Sequence, residues 1–160
     1  MGNAVSGRYD VRRAAGEDAP AVHEVRQRAI RGSAAGLYAA DALEAWAFGG
    51  SEDELRRKIA TTAAFVAVVR GQVVGWATLD SAEIEQLYVD PDHGGVGLAS
   101  RLYRAIEDLA RTHGVPRLTA VASLRAVPVF QRFGFTEVRR ENRSFNGHTF
   151  EVGDMIKRLE

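Results

Sequence analysis

Glu83 and Glu85 stand two residues apart in the segment Glu83–Val89, whose alternating pattern predicts a β-strand. Alternate side chains of a strand point to the same face, so both glutamates should share a face with Leu87 and Val89. Carboxylates held close together raise one another's pKa, which suits a group that must accept a proton near neutral pH. The other interpretation is a polar strand face in solvent. Because Leu87 and Val89 continue the face inward, we favour a general base, with Glu83 first by reach and Glu85 second.

The loop that follows this strand is rich in glycine and leads directly into a helix. Residues 90–97 read Asp-Pro-Asp-His-Gly-Gly-Val-Gly, and the amphipathic pattern from Leu98 to about His113 predicts a long helix. Amides without partners at a helix N-terminus bind anions, and side chains at Gly95 or Gly97 would keep a phosphate from the backbone. The alternative is a tight turn alone. A dinucleotide-binding fingerprint fits poorly, because its third glycine is missing.

These residues depend on a mixed set of predicted elements. A short strand and three helical segments come first, and strands then alternate with two further helices. The predicted helices are 18–30, 37–48, 51–60, 98–113 and 123–132, and the predicted strands are 9–12, 63–69, 73–79, 83–89, 118–122, 135–145 and 149–159. Asn146-Gly147 between the last two strands is a strong hairpin signal. This order predicts one mixed α/β domain over residues 1–160.

The composition excludes several classes of protein. The chain has 160 residues and no cysteine, which rules out disulfides, a thiolate nucleophile and cysteine-ligated metal. Its four histidines lack the spacing of metal ligands, so we expect no metal. With 21 basic and 21 acidic residues, the chain is not expected to bind nucleic acid. No stretch resembles a signal peptide or is long enough to cross a membrane, so a cytoplasmic protein is expected.

Two stretches match motifs of a known family. Residues 87–102, Leu-Tyr-Val-Asp-Pro-Asp-His-Gly-Gly-Val-Gly-Leu-Ala-Ser-Arg-Leu, resemble motif A of the GNAT family of acyl-CoA-dependent N-acetyltransferases. Residues 123–135, Ser-Leu-Arg-Ala-Val-Pro-Val-Phe-Gln-Arg-Phe-Gly-Phe, resemble motif B of the same family. The final hairpin is also similar to that of family members. The resemblance therefore covers nearly the whole chain, and its specific part is residues 83–135.

The resemblance implies a mixed, mostly antiparallel central sheet, flanked by helices and splayed between its fourth and fifth strands. Acetyl-CoA would lie in this opening, and main-chain groups of Leu87, Tyr88 and Val89 would bind its pantetheine arm. The residues implied for the pyrophosphate are Gly94, Gly95, Val96, Gly97, Leu98 and Ala99. The family's catalytic acid or base residues often occupy the positions of the two glutamates.

The chain departs from the family's pattern at two loop positions. Gly94 stands where arginine or glutamine is usual, and Val96 stands where a basic or polar residue is common. Because the loop binds mostly through backbone amides, we expect binding to persist. A nearby arginine could supply charge for the nucleotide end, and the candidates are Arg101, Arg104 and Arg132.

Motif B leaves the proton donor open. The family often has a tyrosine where this chain has Phe130, which cannot donate a proton. The role would fall to Tyr88, Tyr103, Tyr38 or water. Phe130 could pack against the thioester end or belong to the core. Ser123 lies where an asparagine often meets the pantetheine arm, and it is also a candidate helix N-cap.

The resemblance predicts direct transfer of an acetyl group from acetyl-CoA to a primary amine of a small molecule or peptide. Tyr38 and Trp46 are candidates for the acceptor pocket, with plain core aromatics as the alternative. A second hypothesis is an acyl-CoA-binding sensor or interaction module that has lost its chemistry, suggested by Phe130 and Gly94. A third is a nucleotide-phosphate-binding protein unrelated to CoA. An exposed final hairpin could pair between subunits, so a homodimer is also considered.

Charge is unevenly distributed along the chain despite the neutral total. Residues 80–92 hold five acidic residues and no lysine or arginine. Residues 125–143 hold five arginines against two glutamates. An acidic side suits a cationic amine, and a basic side suits a phosphorylated cofactor.

Overall fold

Seven strands and five α-helices make up the described part of the chain. The computed structural model describes residues 8–33, 38–48, 50–145 and 147–159. The strands are β1 Tyr9–Arg13, β2 Ala63–Val69, β3 Gln72–Asp80, β4 Glu83–Val89, β5 Arg117–Ser123, β6 Thr136–Phe145 and β7 His148–Arg158. The helices are α1 Ala19–Ser33, α2 Ala40–Phe48, α3 Glu52–Thr61, α4 Leu98–Thr112 and α5 Val127–Arg132. The predicted start of α2, Leu37, lies outside the described residues.

All these strands belong to one sheet, in the order β1-β2-β3-β4-β5-β7-β6. Every neighbouring pair is antiparallel except β4 and β5, which run parallel. Their pairing joins only Glu83 to Thr119 and Ile84 to Ala120, so the two strands part along the rest of β4. This confirms the predicted mixed, mostly antiparallel sheet that opens between its fourth and fifth strands.

A β-bulge in β4 changes the predicted faces of that strand. Consecutive residues of β3 pair with Gln86 and with Ile84, which leaves Glu85 as an extra residue on β4. Ile84 packs in the same hydrophobic cluster as Leu87 and Val89, on the side covered by α4. The prediction that both glutamates share a face with Leu87 and Val89 is therefore wrong, because it assumed an uninterrupted ladder.

Helices cover both faces of the sheet. α4 and α5 cover one face, where Leu102 and Ile106 of α4 are fully buried. α1 and α3 cover the other face around Val22 and Trp76, which are also fully buried. α4 can approach β3 closely because Gly75 has no side chain: a Cβ there would lie 3.1 Å from Leu102 Cδ1. Among the described residues, no helix has the length and apolar character needed to cross a membrane.

The last two strands form the predicted hairpin. Phe145 pairs with His148, so two residues connect β6 to β7. Gly147 has a φ of 78°, a left-handed conformation that glycine adopts without steric cost. Asn146, the other residue of the predicted turn, lies outside the described residues.

Candidate active site

The opening between β4 and β5 holds a cavity of about 230 Å3, which we name the central cavity. Its walls come from α4 and α5 on one face of the sheet and from α1 and α2 on the other. The lining residues are Ala29, Ile30, Trp46, Ile84, Glu85, Leu87, Tyr88, Val89, Ala99, Val121, Ala122, Ser123, Arg125, Ala126, Val129 and Phe130. Because both helical layers contribute, the cavity passes through the sheet where the strands separate.

Most of the site residues predicted from the sequence lie on this wall. The predicted residues that line the central cavity are Trp46, Glu85, Leu87, Tyr88, Val89, Ala99, Ser123 and Phe130. Sequence reasoning missed the contributions of α1 and β5, such as Ile30 and Val121. These side chains are apolar, and no local pattern separates a cavity wall from an ordinary core.

A second cavity, which we name the loop cavity, adjoins the first and has a volume of about 390 Å3. It is lined by Val89, His93, Gly94, Gly95, Gly97, Leu98, Ala99, Ser100, Val129, Arg132 and Phe133. Val89, Ala99 and Val129 line both cavities, so the two lie next to each other at the start of α4. Among the predicted loop residues, Val96 is not part of this lining, and it is 53% exposed.

The N-terminus of α4 opens onto the loop cavity with its amides free of side-chain caps. Gly97 is the N-cap residue with a φ of 81°, and its position offers no side-chain hydrogen bond to the helix. The first turn contains no acidic residue that would satisfy the helix dipole. Gly95 has a φ of 78°, and a Cβ at either glycine would meet nothing within 4 Å. Conformation rather than crowding therefore requires glycine, and the free amides suit a phosphate.

Of the three arginines considered for the nucleotide end, Arg132 lines the loop cavity. Arg101 instead donates from Nη1 to the Tyr9 carbonyl at 2.7 Å and so ties α4 to β1. His93 also lines the loop cavity, and its Nδ1 lies 3.0 Å from the Tyr9 hydroxyl oxygen. The cationic side chain that the structure brings to this cavity from motif B is thus Arg132.

The two candidate bases have different surroundings. Glu85 lines the central cavity, and its carboxylate forms an ion pair with Lys58 of α3, the two side chains being 23% and 28% exposed. Glu83 is exposed at the start of β4, where that strand still pairs with β5. Glu83 does not line the central cavity or the loop cavity. The bulge thus brings one of the two predicted carboxylates to the opening.

Tyr88 belongs to a buried cluster between β4, α1 and α2. The Trp46 side chain hydrogen-bonds to Tyr88, and the guanidinium carbon of Arg26 lies 6.0 Å from the centre of the Tyr88 ring. Arg26 is buried and donates from Nη1 to the Trp46 carbonyl at 3.0 Å. Burial raises the pKa of the Tyr88 phenol, while the Trp46 hydrogen bond and the Arg26 charge oppose this rise. The phenol therefore keeps its proton at neutral pH.

Tyr103 of α4 and Phe130 of α5 belong to one aromatic cluster. Tyr103 stacks on Phe133 with ring centres 4.5 Å apart and accepts a hydrogen bond from Lys157 Nζ at 2.9 Å. Tyr103 lines neither the central cavity nor the loop cavity, although burial raises its pKa. Phe130 lines the central cavity and also packs edge-on against Phe135, with ring centres 5.2 Å apart. Phe130 therefore belongs both to the cavity wall and to the hydrophobic core, the two alternatives that the sequence left open.

Tyr38 and Trp46 separate the central cavity from a third cavity of about 460 Å3, which we name the side cavity. Tyr38 lines the side cavity, Trp46 lines the central cavity, and their ring centres are 6.0 Å apart. The Tyr38 hydroxyl donates to the Glu151 carbonyl at 2.7 Å and accepts from the Leu124 amide at 3.2 Å. The residues lining the side cavity are Tyr38, Ala39, Asp41, Ala42, Leu124, Asn142, His148, Thr149 and Glu151.

Ser123 caps a turn rather than the helix that was predicted to start there. Its hydroxyl oxygen accepts a hydrogen bond from the Ala126 amide at 3.3 Å. α5 begins only at Val127, with Ala126 as its N-cap residue and without a side-chain cap. The turn in between places Ser123 and Arg125 on the wall of the central cavity. Among the described residues, no cluster of histidine, aspartate and glutamate could hold a metal ion.

The fold and the cavities together define a class of protein: an α/β sheet opened between two parallel strands, with a glycine-rich helix N-terminus beside the opening. The acetyltransferase (GNAT) domain family matches residues 34–158 of this chain. An uncharacterised N-acetyltransferase from Escherichia coli, YafP, is 31% identical over 123 residues, which are 77% of this chain and 78% of that protein. The chain belongs to the GNAT family, and it is an N-acetyltransferase.

Solved structures show the same architecture. A GCN5-related N-acetyltransferase from Rhodopseudomonas palustris superposes with a TM-score of 0.90 and 30% identity, covering 94% of this chain and 95% of the other. The PaiA N-acetyltransferase from Thermoplasma acidophilum, solved in complex with coenzyme A, has a TM-score of 0.78 and 17% identity, covering 95% and 99% of the two chains. The second likeness concerns the fold alone.

Proposed function

We propose that this protein transfers an acetyl group from acetyl-CoA directly to a primary amine of a small molecule or peptide in a ternary complex. The observation that carries this proposal is the central cavity, whose walls belong to both faces of the sheet. A thioester arriving from the α4 side and an amine arriving from the α1 and α2 side can meet there. The coenzyme A complex of the Thermoplasma acidophilum relative supports the choice of cofactor.

Main-chain groups of β4 and of the loop before α4 make most of the proposed contacts with acetyl-CoA. In this proposal the pantetheine arm lies along Leu87, Tyr88 and Val89, beside Ser123, in the part of β4 that no longer pairs with β5. The pyrophosphate lies in the loop cavity, where the uncapped amides of α4 and its dipole stabilise negative charge. The residues proposed for it are Gly94, Gly95, Gly97, Leu98 and Ala99, with Val96 at the outer edge.

The chemistry needs a base for the ammonium and an acid for the leaving thiolate. We assign the base to Glu85 rather than Glu83, because Glu85 lines the central cavity. The freed nitrogen attacks the thioester carbonyl carbon, the C–N bond forms and the C–S bond breaks. We assign the acid to Tyr88, which lines the same cavity and stays protonated because burial raises its pKa. After Tyr88 protonates the thiolate, its phenolate takes the second proton from the newly bonded nitrogen.

A glutamate-to-glutamine pair of variants tests the assignment. With acetyl-CoA and a broad set of amines, release of free CoA is followed for Glu85→Gln and for Glu83→Gln. Glu85→Gln should lower kcat roughly 100-fold or more, the usual range for a general base, with the Kd for acetyl-CoA unchanged. Glu83→Gln is the matched control, since it makes the same change on the same strand outside the cavities.

Two results would redirect the proposal. A large loss of kcat in Glu83→Gln with near-normal turnover in Glu85→Gln would move the base to Glu83. Tight binding of acetyl-CoA without turnover of any amine would favour the acyl-CoA sensor instead. That second function is suggested by Phe130, which lines the cavity at a position where the family often has a proton-donating tyrosine.

A further inference from the structure

The chain contains only two lysines, and their surroundings differ. The Lys58 ammonium contacts the carboxylate of Glu85, the side chain that lines the central cavity. Lys157 of β7 donates to the Tyr103 hydroxyl at 2.9 Å and to the Phe133 carbonyl at 2.6 Å, and it forms an ion pair with Glu107 at 3.1 Å. None of these three partners of Lys157 lines the central cavity. One lysine amine is therefore held against the proposed base, and the other is held away from it.

α3 fixes the direction from which Lys58 approaches. The Ser51 hydroxyl caps α3 by accepting a hydrogen bond from the Glu54 amide at 3.2 Å. Leu55 and Ile59 of α3 are buried in the cluster around Trp76, on the face of the sheet that carries α1. Lys58 thus extends from an anchored helix toward the bulge in β4, on the side from which the amine is proposed to arrive.

We infer that Lys58 occupies, on Glu85, the place of the acceptor's ammonium, and that the protein acetylates Lys58 when no acceptor is present. The inference rests on the proposed function, since it uses the same base and the same acetyl donor. An alkylammonium paired with a carboxylate is the arrangement that a bound primary amine would itself form with Glu85. Lysine suits this role because its ammonium ends a flexible four-carbon stem and is a primary amine like the proposed acceptor.

The step balances without any further reactant. Glu85 accepts a proton from the Lys58 ammonium, and the neutral nitrogen attacks the thioester carbonyl carbon. The C–N bond of an amide forms, the C–S bond breaks, and CoA leaves as a thiolate that takes a proton from Tyr88. The new amide nitrogen gives its second proton to the Tyr88 phenolate, and Glu85 releases its proton to solvent. Nothing is oxidised or reduced. The product carries no charge at Lys58, so its ion pair with Glu85 is lost and the carboxylate is freed for an acceptor.

Acceptor amines should compete with this reaction. Glu85 can pair with one ammonium at a time at the cavity wall, so a saturating acceptor displaces Lys58 from the carboxylate. The reaction is also intramolecular, so its rate constant should not depend on protein concentration. Both properties separate it from nonspecific acetylation of surface amines by free acetyl-CoA.

The test follows acetyl transfer within the full chain. The protein is incubated with radiolabelled acetyl-CoA alone, digested, and examined by mass spectrometry. We expect label on Lys58 and not on Lys157, with first-order kinetics, and at least a tenfold slower rate in Glu85→Gln or with a saturating acceptor. Lys58→Arg keeps a cation beside Glu85 and should take no label at this position, whereas Lys157→Arg should keep the label.

Three outcomes would overturn the inference. Turnover of an amine with no label on Lys58 would leave Lys58 as a positioning residue for Glu85 and refute its acetylation. Equal labelling of both lysines, or an unchanged rate in Glu85→Gln, would indicate nonspecific chemistry. Absence of both amine turnover and label would refute the proposed function together with this inference.

Discussion

The two sides of the central cavity present different kinds of groups to a ligand. On the α4 side, the adjoining loop cavity offers backbone amides, two left-handed glycines and a helix N-terminus without a side-chain cap. On the α1 and α2 side the wall is made of side chains from separate segments, such as Glu85, Tyr88 and Trp46. The first side suits the phosphate-bearing acetyl donor that we propose. The second suits the amine acceptor that we propose.

This difference explains why the departures at Gly94 and Val96 need not abolish cofactor binding. Every residue carries a backbone amide, so a loop that binds through amides depends on conformation more than on side-chain identity. On the side-chain wall, a substitution removes the functional atoms themselves, because each group acts through its own side chain. Changes on the α4 side should therefore alter cofactor affinity, and changes on the other side should alter the rate or the acceptor KM.

Among changes to the side-chain wall, removal of the Tyr88 hydroxyl should have the largest effect on kcat. Tyr88→Phe deletes the proposed proton donor and should lower kcat roughly 100-fold, the lower range for general acid catalysis, with an unchanged Kd for acetyl-CoA. Steady-state kinetics and calorimetry measure the two quantities. Tyr103→Phe is the matched control, because Tyr103 lines neither the central cavity nor the loop cavity. This variant should keep kcat within about twofold, as expected for a substitution outside the site. Wild-type turnover in Tyr88→Phe would remove Tyr88 from the mechanism.

Gly97→Ala should have the next largest effect, and on binding instead of rate. Alanine in a left-handed conformation costs about 1 kcal/mol, so the loop should relax and the Kd for acetyl-CoA should rise about fivefold. At saturating acetyl-CoA, kcat should be retained. Gly147→Ala places the same strain in the final hairpin, where φ is 78°. It should lower Tm without changing the Kd, and an equal rise of Kd in both variants would refute a local role for Gly97.

Tyr38→Phe should produce a smaller change on the acceptor side. The variant loses hydrogen bonds to the Glu151 carbonyl and the Leu124 amide, which together hold the wall between the central and side cavities. A loss of about 1 kcal/mol should raise the acceptor KM roughly fivefold at most, with the Kd for acetyl-CoA unaffected. Tyr9→Phe, which removes a hydroxyl beside His93 on the loop side, is the control. A higher Kd for acetyl-CoA in Tyr38→Phe would contradict the separation between a cofactor side and an acceptor side.

Arg132→Gln should give the smallest effect. Arg132 is an exposed cation at the loop cavity, and exposed charges contribute at most about 1 kcal/mol, so the Kd for acetyl-CoA should rise about two- to threefold. The difference from wild type should shrink as salt rises, because mobile ions screen exposed charges. Arg104→Gln is the control on α4. The same change in Kd for both variants would mean that overall charge, and not the position of Arg132, is responsible.

The α4 side could be predicted almost completely from local sequence. The bounds of β4 at Glu83 and Val89, the start of α4 at Leu98 and the glycine loop between them all match the prediction. Each depends on neighbours in the chain: the periodicity of apolar residues, the glycines and the uncapped helix start. Motif A of the family lies in the same stretch. Local sequence patterns are sufficient there because the conformation of this stretch depends on residues that are close to it in the chain.

The other side could be predicted only in part, and Glu85 shows why. Alternation along β4 placed both glutamates on one face, but the bulge is set by how β3 pairs with β4. A register of this kind depends on two segments together and cannot be read from either one alone. The contact of Glu85 with Lys58 depends further on where α3 packs. Tyr38 is similar, since its two hydrogen bonds reach residues more than 80 positions away.

The amino-acid sequence by itself determined the order of the elements, the opened sheet through its motifs, and the uncapped, glycine-led start of α4. These follow from local periodicity, glycine conformation and free helix amides, which do not require knowledge of distant contacts. Only the tertiary structure decided which glutamate reaches the central cavity, which tyrosine accompanies it and which lysine lies against the base. These placements depend on strand register and helix packing. A shift of one residue in the register changes which side chain faces the cavity.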